Sequence, residues 1–390
     1  MKCFLTQKGN KWYVVINEKD TLGKWKKKYI STGTNDKKIA EAKLVGYENQ
    51  INQGTYIAPD KMTLAELLQL WLEEYVEMEC EETTYSSYES IVNKYLIPKL
   101  GHIPIQKLTA MDITKYYNFL LREGKGKEKG GLSLETVHRH HANLHSALKF
   151  AVEKGLLIRN VADLARPPKK KGNDSKKLKN RKAKVYNSEQ VKELLEAAKG
   201  DKIEVPVNLA VKAGLRNSEI CGLIWSDVNY EKGYINIEQV RTIRRVKGIR
   251  KEIIKPPKSD AGIRKIKIPQ SLCVFLKSEH LRQKANKLKM GEQYFESEYV
   301  FRNPDGTLNN SQQLSKLFSN FLKENKLAVI RLHDLRHTYA TILLKNKADL
   351  KTVQEYMGHA DAKILLDTYA HVLEEAETET MNILESAFAK

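Results

Sequence analysis

The chain has 390 residues, 41% of them hydrophobic, which is enough for two or three separately cored domains. Its 67 Lys and Arg outnumber 48 Asp and Glu, and the net charge of +19 points to a polyanionic partner, nucleic acid before any other. Four scattered cysteines (Cys3, Cys80, Cys221, Cys273) without a CxxC pair argue against a disulfide framework or a cysteine-rich zinc site. The lack of a signal peptide, or of any apolar run near the roughly 18 residues of a membrane span, points to the cytosol.

Residues 1–58 read as a small α+β domain. "KWYVVIN" and "KWKKKYIST" are rich in aromatic and β-branched residues, as strands are, and "EKDTLG" turns the chain between them. Alternation puts Lys24, Lys26 and Lys28 on one face of this ribbon. A basic two-stranded ribbon can enter a DNA major groove, and a merely solvated lysine face fits the same residues. Asp36 can cap a helix running to Gln53, with Ala40, Leu44, Tyr47 and Ile51 as its apolar stripe.

Residues 62–165 read as an all-α domain. Thr63 precedes "LAELLQLWLEEYV", and "TTYSSYESIVNKYLIPKL", "DITKYYNFLLREG" and "SLETVHRHHANLHSALKFAVEKG" follow with helical spacing, the last closed by Gly155. His138, His141 and His145 fall on roughly one face of that last helix. No fourth ligand stands beside them, so phosphate or neighbouring helices are the expected partners rather than zinc. Residues 166–184, "RPPKKKGNDSKKLKNRKAK", form a basic linker whose Lys169, Lys170, Lys171, Lys176 and Lys177 should track phosphates. Residues 185–390 read as a larger α+β domain, mainly helical, with strands in "YINIEQVRTI" and "IRKIKIP".

The chemistry concentrates in that last domain. "HDLRH", His333 to His337, has the outline of a zinc-protease motif, with Asp334 where Glu would stand. Spacing alone does not choose between His337 and Arg336 as the partner of His333, because both neighbour it on a helix. Charge favours an anion: Arg336 would repel a metal, while a guanidinium grips two phosphate oxygens and a His beside it can move a proton. His337 then becomes a supporting histidine. "AGLRNSEICGL" places Arg216 before a capped helix, with Glu219 three residues on to fix basic side chains. "PPKSDAGIRKIKIP" puts Lys258 in a turn between two strands, with Lys251, Lys255 and Lys265 nearby as alternatives. "GHADAKILLDTYAHV" supplies His359 and, ten residues later, Tyr369.

Arg216, Lys258, His333 with Arg336, His359 and Tyr369 follow the order of the tyrosine recombinase (phage-type integrase) family, which the sequence resembles over nearly its whole length. The resemblance implies a small α+β arm-binding domain (1–58), an all-α core-binding domain (62–165) and a mixed α+β, mainly helical catalytic domain with a C-terminal tail (185–390). Residues 1–58 resemble the small arm-binding domain found on integrases of conjugative transposons and temperate phages. It implies a bacterial, DNA-associated enzyme that integrates and excises a mobile element without metal, ATP or any cofactor. Tyr369 would attack a phosphodiester, giving a 3′-phosphotyrosyl bond and a free 5′-hydroxyl. Arg216 and Arg336 would hold the non-bridging oxygens, and Glu219 would orient the cluster. His333 would take the tyrosine proton, His359 would add a hydrogen bond, and Lys258 would protonate the leaving oxygen. Implied partners are double-stranded DNA at core and arm sites, three further copies in a tetramer on DNA, and a small excision factor.

Overall fold

A computed structural model of the chain describes residues 2–19, 24–54, 56–57, 61–125, 130–169, 185–358 and 388. Two compact units divide it, Met1–Lys171 and Gly172–Lys390.

The first unit opens with an antiparallel sheet, β1 (Lys2–Lys8), β2 (Lys11–Lys19) and β3 (Trp25–Ser31), ordered β1-β2-β3. The expected two-stranded ribbon therefore has a third strand. Lys8 pairs with Lys11, leaving Gly9 and Asn10 as a two-residue turn, and Gly9 takes the left-handed φ of 58° that such a turn needs. Lys28 stands opposite the buried Ile16 and is itself half-buried, whereas Lys24 and Lys26 are exposed. Helix α1 (Lys37–Asn52) packs on β1 and β2; the Asp36 carboxylate caps it, accepting from the Lys38 N–H at 2.8 Å.

Helix α2 (Leu64–Trp71) starts at a capping box in which Thr63 and Glu66 satisfy each other's backbone N–H groups. It runs on to Glu79 through a π-helical turn, Leu72–Val76. Helix α3 (Glu82–Ile91) likewise passes through a π turn, Val92–Leu96, into Ile97–Leu100. Helices α4 (Ala110–Glu123) and α5 (Leu134–Glu153) complete the helical part. Its core is built from Leu64, Leu67, Leu68, Trp71, Val92 and Leu144, with Trp71 stacked on Tyr88 at 5.5 Å.

The second unit contains α6 (Ser188–Ala197), α7 (Glu204–Ala213) and α8 (Asn217–Gly222), then five strands: β4 (Val228–Asn229), β5 (Tyr234–Ile237), β6 (Val240–Val246), β7 (Ile249–Lys255) and β8 (Arg264–Lys267). Helices α9 (Gln270–Met290), α10 (Ser311–Glu324), α11 (Leu332–Lys345) and α12 (Leu350–Met357) follow. One sheet is ordered β4-β5-β8; β6 and β7 form a hairpin of their own. "YINIEQVRTI" is thus two strands in two sheets. The break falls at Glu238 and Gln239, where the Gln239 side chain donates to the Gly222 carbonyl at 2.8 Å. The hairpin turns on Lys247 (φ 49°) and Gly248 (φ 76°), both left-handed, as a two-residue turn of matching twist requires. Ile220, Ile235, Ile266, Leu272, Phe318 and Leu335 belong to one buried core that locks α11 against the sheet and the neighbouring helices. All four cysteines are free thiols. No helix among the described residues is long and apolar enough to cross a membrane.

Candidate active site

Glycine makes the site's first turn possible. Gly214 ends α7 at φ 65°, and a Cβ there would stand 2.5 Å from the Tyr339 ring of α11. The close approach brings α11 over the segment leading to Arg216. Arg216 is the N-cap residue of α8, and Glu219 reaches back to it: the carboxylate accepts from the Arg216 backbone N–H at 2.8 Å and from Nη1 at 2.6 Å. The Glu219 side chain is fully buried.

Two more guanidiniums converge on this carboxylate. Arg264, the first residue of β8, donates Nη1 to Oε1 at 3.0 Å and Nη2 to Oε2 at 2.9 Å. Arg336 of α11 lies 3.9 Å from Oε2 and donates Nη1 to the Gly214 carbonyl at 2.6 Å. Burial pushes the Glu219 carboxyl up, but hydrogen bonding and charge from Arg264, then the charges of Arg336 and Arg216, outweigh it and hold the group at about 2. One anion among three cations leaves a positive site. Arg264 and Arg336 are buried, and Arg216 is the member that retains partial exposure.

The same arginines hold the C-terminal end of α12. Arg216 Nη2 donates to the carbonyls of Met357 (3.0 Å) and Gly358 (2.9 Å), Arg264 Nε to that of Tyr356 (2.7 Å), and Arg336 to that of Met357. Cations at a helix C-terminus complement its dipole and satisfy carbonyls that the helix leaves unpaired. Gly358 closes the helix in a left-handed conformation, immediately before His359.

His333 lies one turn from Arg336 on α11, its ring edge-on to that of His337 at 5.1 Å. Partial desolvation comes first, then the neighbouring His337 and the charges of Arg336 and Arg331; together they lower its pKa to about 4. At neutral pH it is therefore an uncharged base. Asp334 has a different task from that of a protease acid. Its carboxylate accepts from the Arg331 backbone N–H at 2.9 Å and from the Arg331 guanidinium at 2.7 Å, capping α11.

Lys258 sits exposed in the turn between β7 and β8, strands of different sheets. Among the alternatives, Lys265 lies over the Tyr234 ring at 4.3 Å, and Lys251 and Lys255 already have interaction partners. The structure thus brings together Arg216, Glu219 and Arg336, with His333 on the same helix as Arg336. His359 and Tyr369 lie outside the described residues, as do Lys170, Lys171, Lys176 and Lys177; Lys169 is exposed. Arg264 is the site residue that sequence reasoning missed.

The histidines of α5 are engaged in other ways: His138 with the Pro168 carbonyl (3.1 Å), His141 with the Tyr117 hydroxyl (2.6 Å) and His145 with Asp163 (2.8 Å). No group of three His, Cys, Asp or Glu side chains placed to hold a metal occurs among the described residues.

Residues 184–376 match the Phage integrase family, and residues 63–121 match the Phage integrase, N-terminal SAM-like domain. A tyrosine recombinase XerC-like protein of Caldanaerobacter subterraneus subsp. tengcongensis is 31% identical over 364 residues, covering 90% of each chain. The ICEBs1 integrase of Bacillus subtilis is 25% identical over 312 residues, covering 79% of each. Among solved structures, the Tn1549 transposon integrase in complex with a circular intermediate DNA shares the fold with a TM-score of 0.63 at 20% identity, over 83% of this chain and 99% of that one. The match to the XerC-like relative over 90% of each chain carries the conclusion that this chain belongs to the tyrosine recombinase (phage integrase) family, enzymes that cleave and rejoin DNA through a covalent tyrosine intermediate.

Proposed function

We propose that the protein is the integrase of a mobile genetic element, and that Arg216, Lys258, His333, Arg336, His359 and Tyr369 perform its chemistry. One observation carries the reading: a single buried carboxylate, Glu219, gathers Arg216 and Arg336 from distant parts of the chain beside an uncharged His333. Guanidiniums fixed before the reaction are suited to a phosphate whose charge grows in the transition state. Tyr369 attacks the phosphorus, its proton passes to His333, and the P–O5′ bond breaks as Lys258 protonates the leaving oxygen. His359 adds a hydrogen bond to the phosphoryl oxygens. The phosphotyrosyl bond keeps the phosphodiester's energy, so a partner strand's 5′-hydroxyl can reverse the step without ATP.

The partner is double-stranded DNA. The lysine-rich sheet at the N-terminus, with Lys24, Lys26 and Lys28, serves arm-type sites, and the helical domain with the basic segment from Lys169 to Lys177 serves the core site. The enzyme works as a tetramer, a stoichiometry at which lambda integrase has been solved on a Holliday junction (TM-score 0.53, 18% identity, 90% of each chain). A small excision factor sets direction, and the protein acts in the bacterial cytoplasm.

A nicked suicide duplex tests the chemistry. The covalent adduct should form at an unchanged rate in EDTA, because the site offers cations rather than clustered carboxylates. Loss of the adduct in EDTA with restoration by zinc would overturn the mechanism.

The pH dependence tests the base. His333 is held at about 4, below the ordinary 6.5, so its accepting form persists as pH falls and is lost only towards pH 4. The apparent kcat/KM for adduct formation reports the free enzyme and should hold from pH 8 to about 5. An acid limb that persists unchanged in a His333→Gln chain would remove His333 from the role.

A further inference from the structure

We infer that Arg264 is a positioning residue for strand cleavage: it ties the turn bearing Lys258 to the guanidinium cluster, and so sets where the leaving oxygen receives its proton. The inference rests on the reading above that Lys258 is the proton donor.

The donor contacts of Arg264 go to parts of the site that must stay in register. Two go to the Glu219 carboxylate, which fixes Arg216. Nε goes to the Tyr356 carbonyl at 2.7 Å, next to the carbonyls that Arg216 and Arg336 hold. Nη1 also donates to the Gly262 carbonyl at 2.9 Å, and Gly262 ends the turn that contains Lys258.

That turn is closed on itself, so a hold at its end is felt at its start. Gly262 N donates to the Ser259 carbonyl at 2.7 Å, and Ile263 N to the Asp260 carbonyl at 3.0 Å. A Cβ on Gly262 would stand 2.4 Å from Pro257 Cβ, which places the two ends of the turn in contact around Lys258. The end of α12 presses on the same turn from outside: a Cβ on Gly358 would meet the Ala261 carbonyl at 2.8 Å and Arg264 Nη1 at 3.1 Å. The flexible Lys258 side chain is exposed, but its backbone anchor is clamped between Arg264 and the Tyr356–Gly358 segment.

Lysine cannot replace this residue. Its single ammonium lacks the planar fork that reaches both Glu219 oxygens and two carbonyls at once. In the Arg264→Lys chain the charge stays, and the turn loses its fixed relation to Glu219.

The test uses the full-length chain and two suicide duplexes, one with the ordinary 5′-oxygen and one with sulfur in the bridging 5′ position. The thiolate leaves without being protonated, so the sulfur duplex removes the need for a proton donor. Arg264→Lys should cleave the oxygen duplex about 10²-fold more slowly at saturating DNA, the lower end of what general-acid catalysis contributes. Its Kd for DNA should change little, and its rate on the sulfur duplex should return to within a few fold of the unsubstituted protein. Lys258→Ala should show the same pattern. Pro257→Gly loosens the turn without removing any partner of Arg264; it should give a milder oxygen-specific defect, and it decides the matter if Arg264→Lys does not fold. If Lys258→Ala is rescued by sulfur while Arg264→Lys and Pro257→Gly are equally slow on both duplexes, the positioning role is wrong and Lys258 keeps its own. If sulfur fails to rescue Lys258→Ala, the proton-donor reading falls, and this inference with it.

Discussion

Tyr369→Phe should bind its DNA site with nearly unchanged Kd and form no covalent adduct on a nicked suicide duplex. The substitution removes one oxygen, and in the proposed reaction that oxygen makes the new bond to phosphorus. Neither water nor a neighbouring side chain can restore the intermediate, so the loss should reach at least about 10⁴-fold, the order expected when a covalent nucleophile is deleted. Binding should survive because the contacts assigned to it lie elsewhere, in the basic sheet, the helical domain and the arginine cluster. An adduct that persists in the Phe chain would name a different nucleophile. Peptide mapping would find it, and Tyr356, half-buried beside the Arg264 contact, would be the first residue to check.

Glu219→Gln should be the most destabilising conservative change in the catalytic unit. Glutamine keeps the shape and removes the charge, leaving Arg264 and Arg336 buried without their common counterion. Breaking a buried ion pair from one side costs about 3–5 kcal/mol, a large share of the 5–15 kcal/mol that holds a domain together. For a unit of this size that corresponds to a fall in Tm of roughly 10 °C. The effect has a pH signature. The Glu219 carboxyl lies at about 2 when folded and near 4.5 when unfolded, so its contribution is complete above about pH 4.5 and disappears as pH falls towards 2. The gap in Tm between the two chains should therefore be widest near neutrality and narrow in acid. A Gln chain melting within a degree or two of the original at pH 7 would show that the three guanidiniums are held by their carbonyl contacts alone.

What the sequence disclosed follows the physics of each segment. Arg216, His333 and Arg336 were legible because their charge and proton chemistry suit a phosphate, and Glu219 because it stands one helical turn from Arg216, where a carboxylate can fix basic side chains. Arg264 was not. "IRKIKIP" offers several cations along one strand, and alternation does not say which of them meets a carboxylate from another element. The strand β1 was missed despite a usable signal, since Gly9 and Asn10 separate two alternating runs by two residues. The β6–β7 hairpin announced itself only through Lys247 and Gly248, a weaker turn pair than Asn-Gly. The π turns in α2 and α3 left no mark in the pattern, because one extra residue per turn shifts the apolar stripe without breaking it.

The shared carboxylate at Glu219 has a genetic consequence. Grip and scaffold are one ion cluster, so lesions that delete a charge from it remove folded protein along with activity and should behave as simple recessive losses. Tyr369→Phe leaves every charge of that cluster in place. A chain altered only there would still occupy DNA and join its intact siblings, and a few such copies would poison mixed assemblies out of proportion to their number.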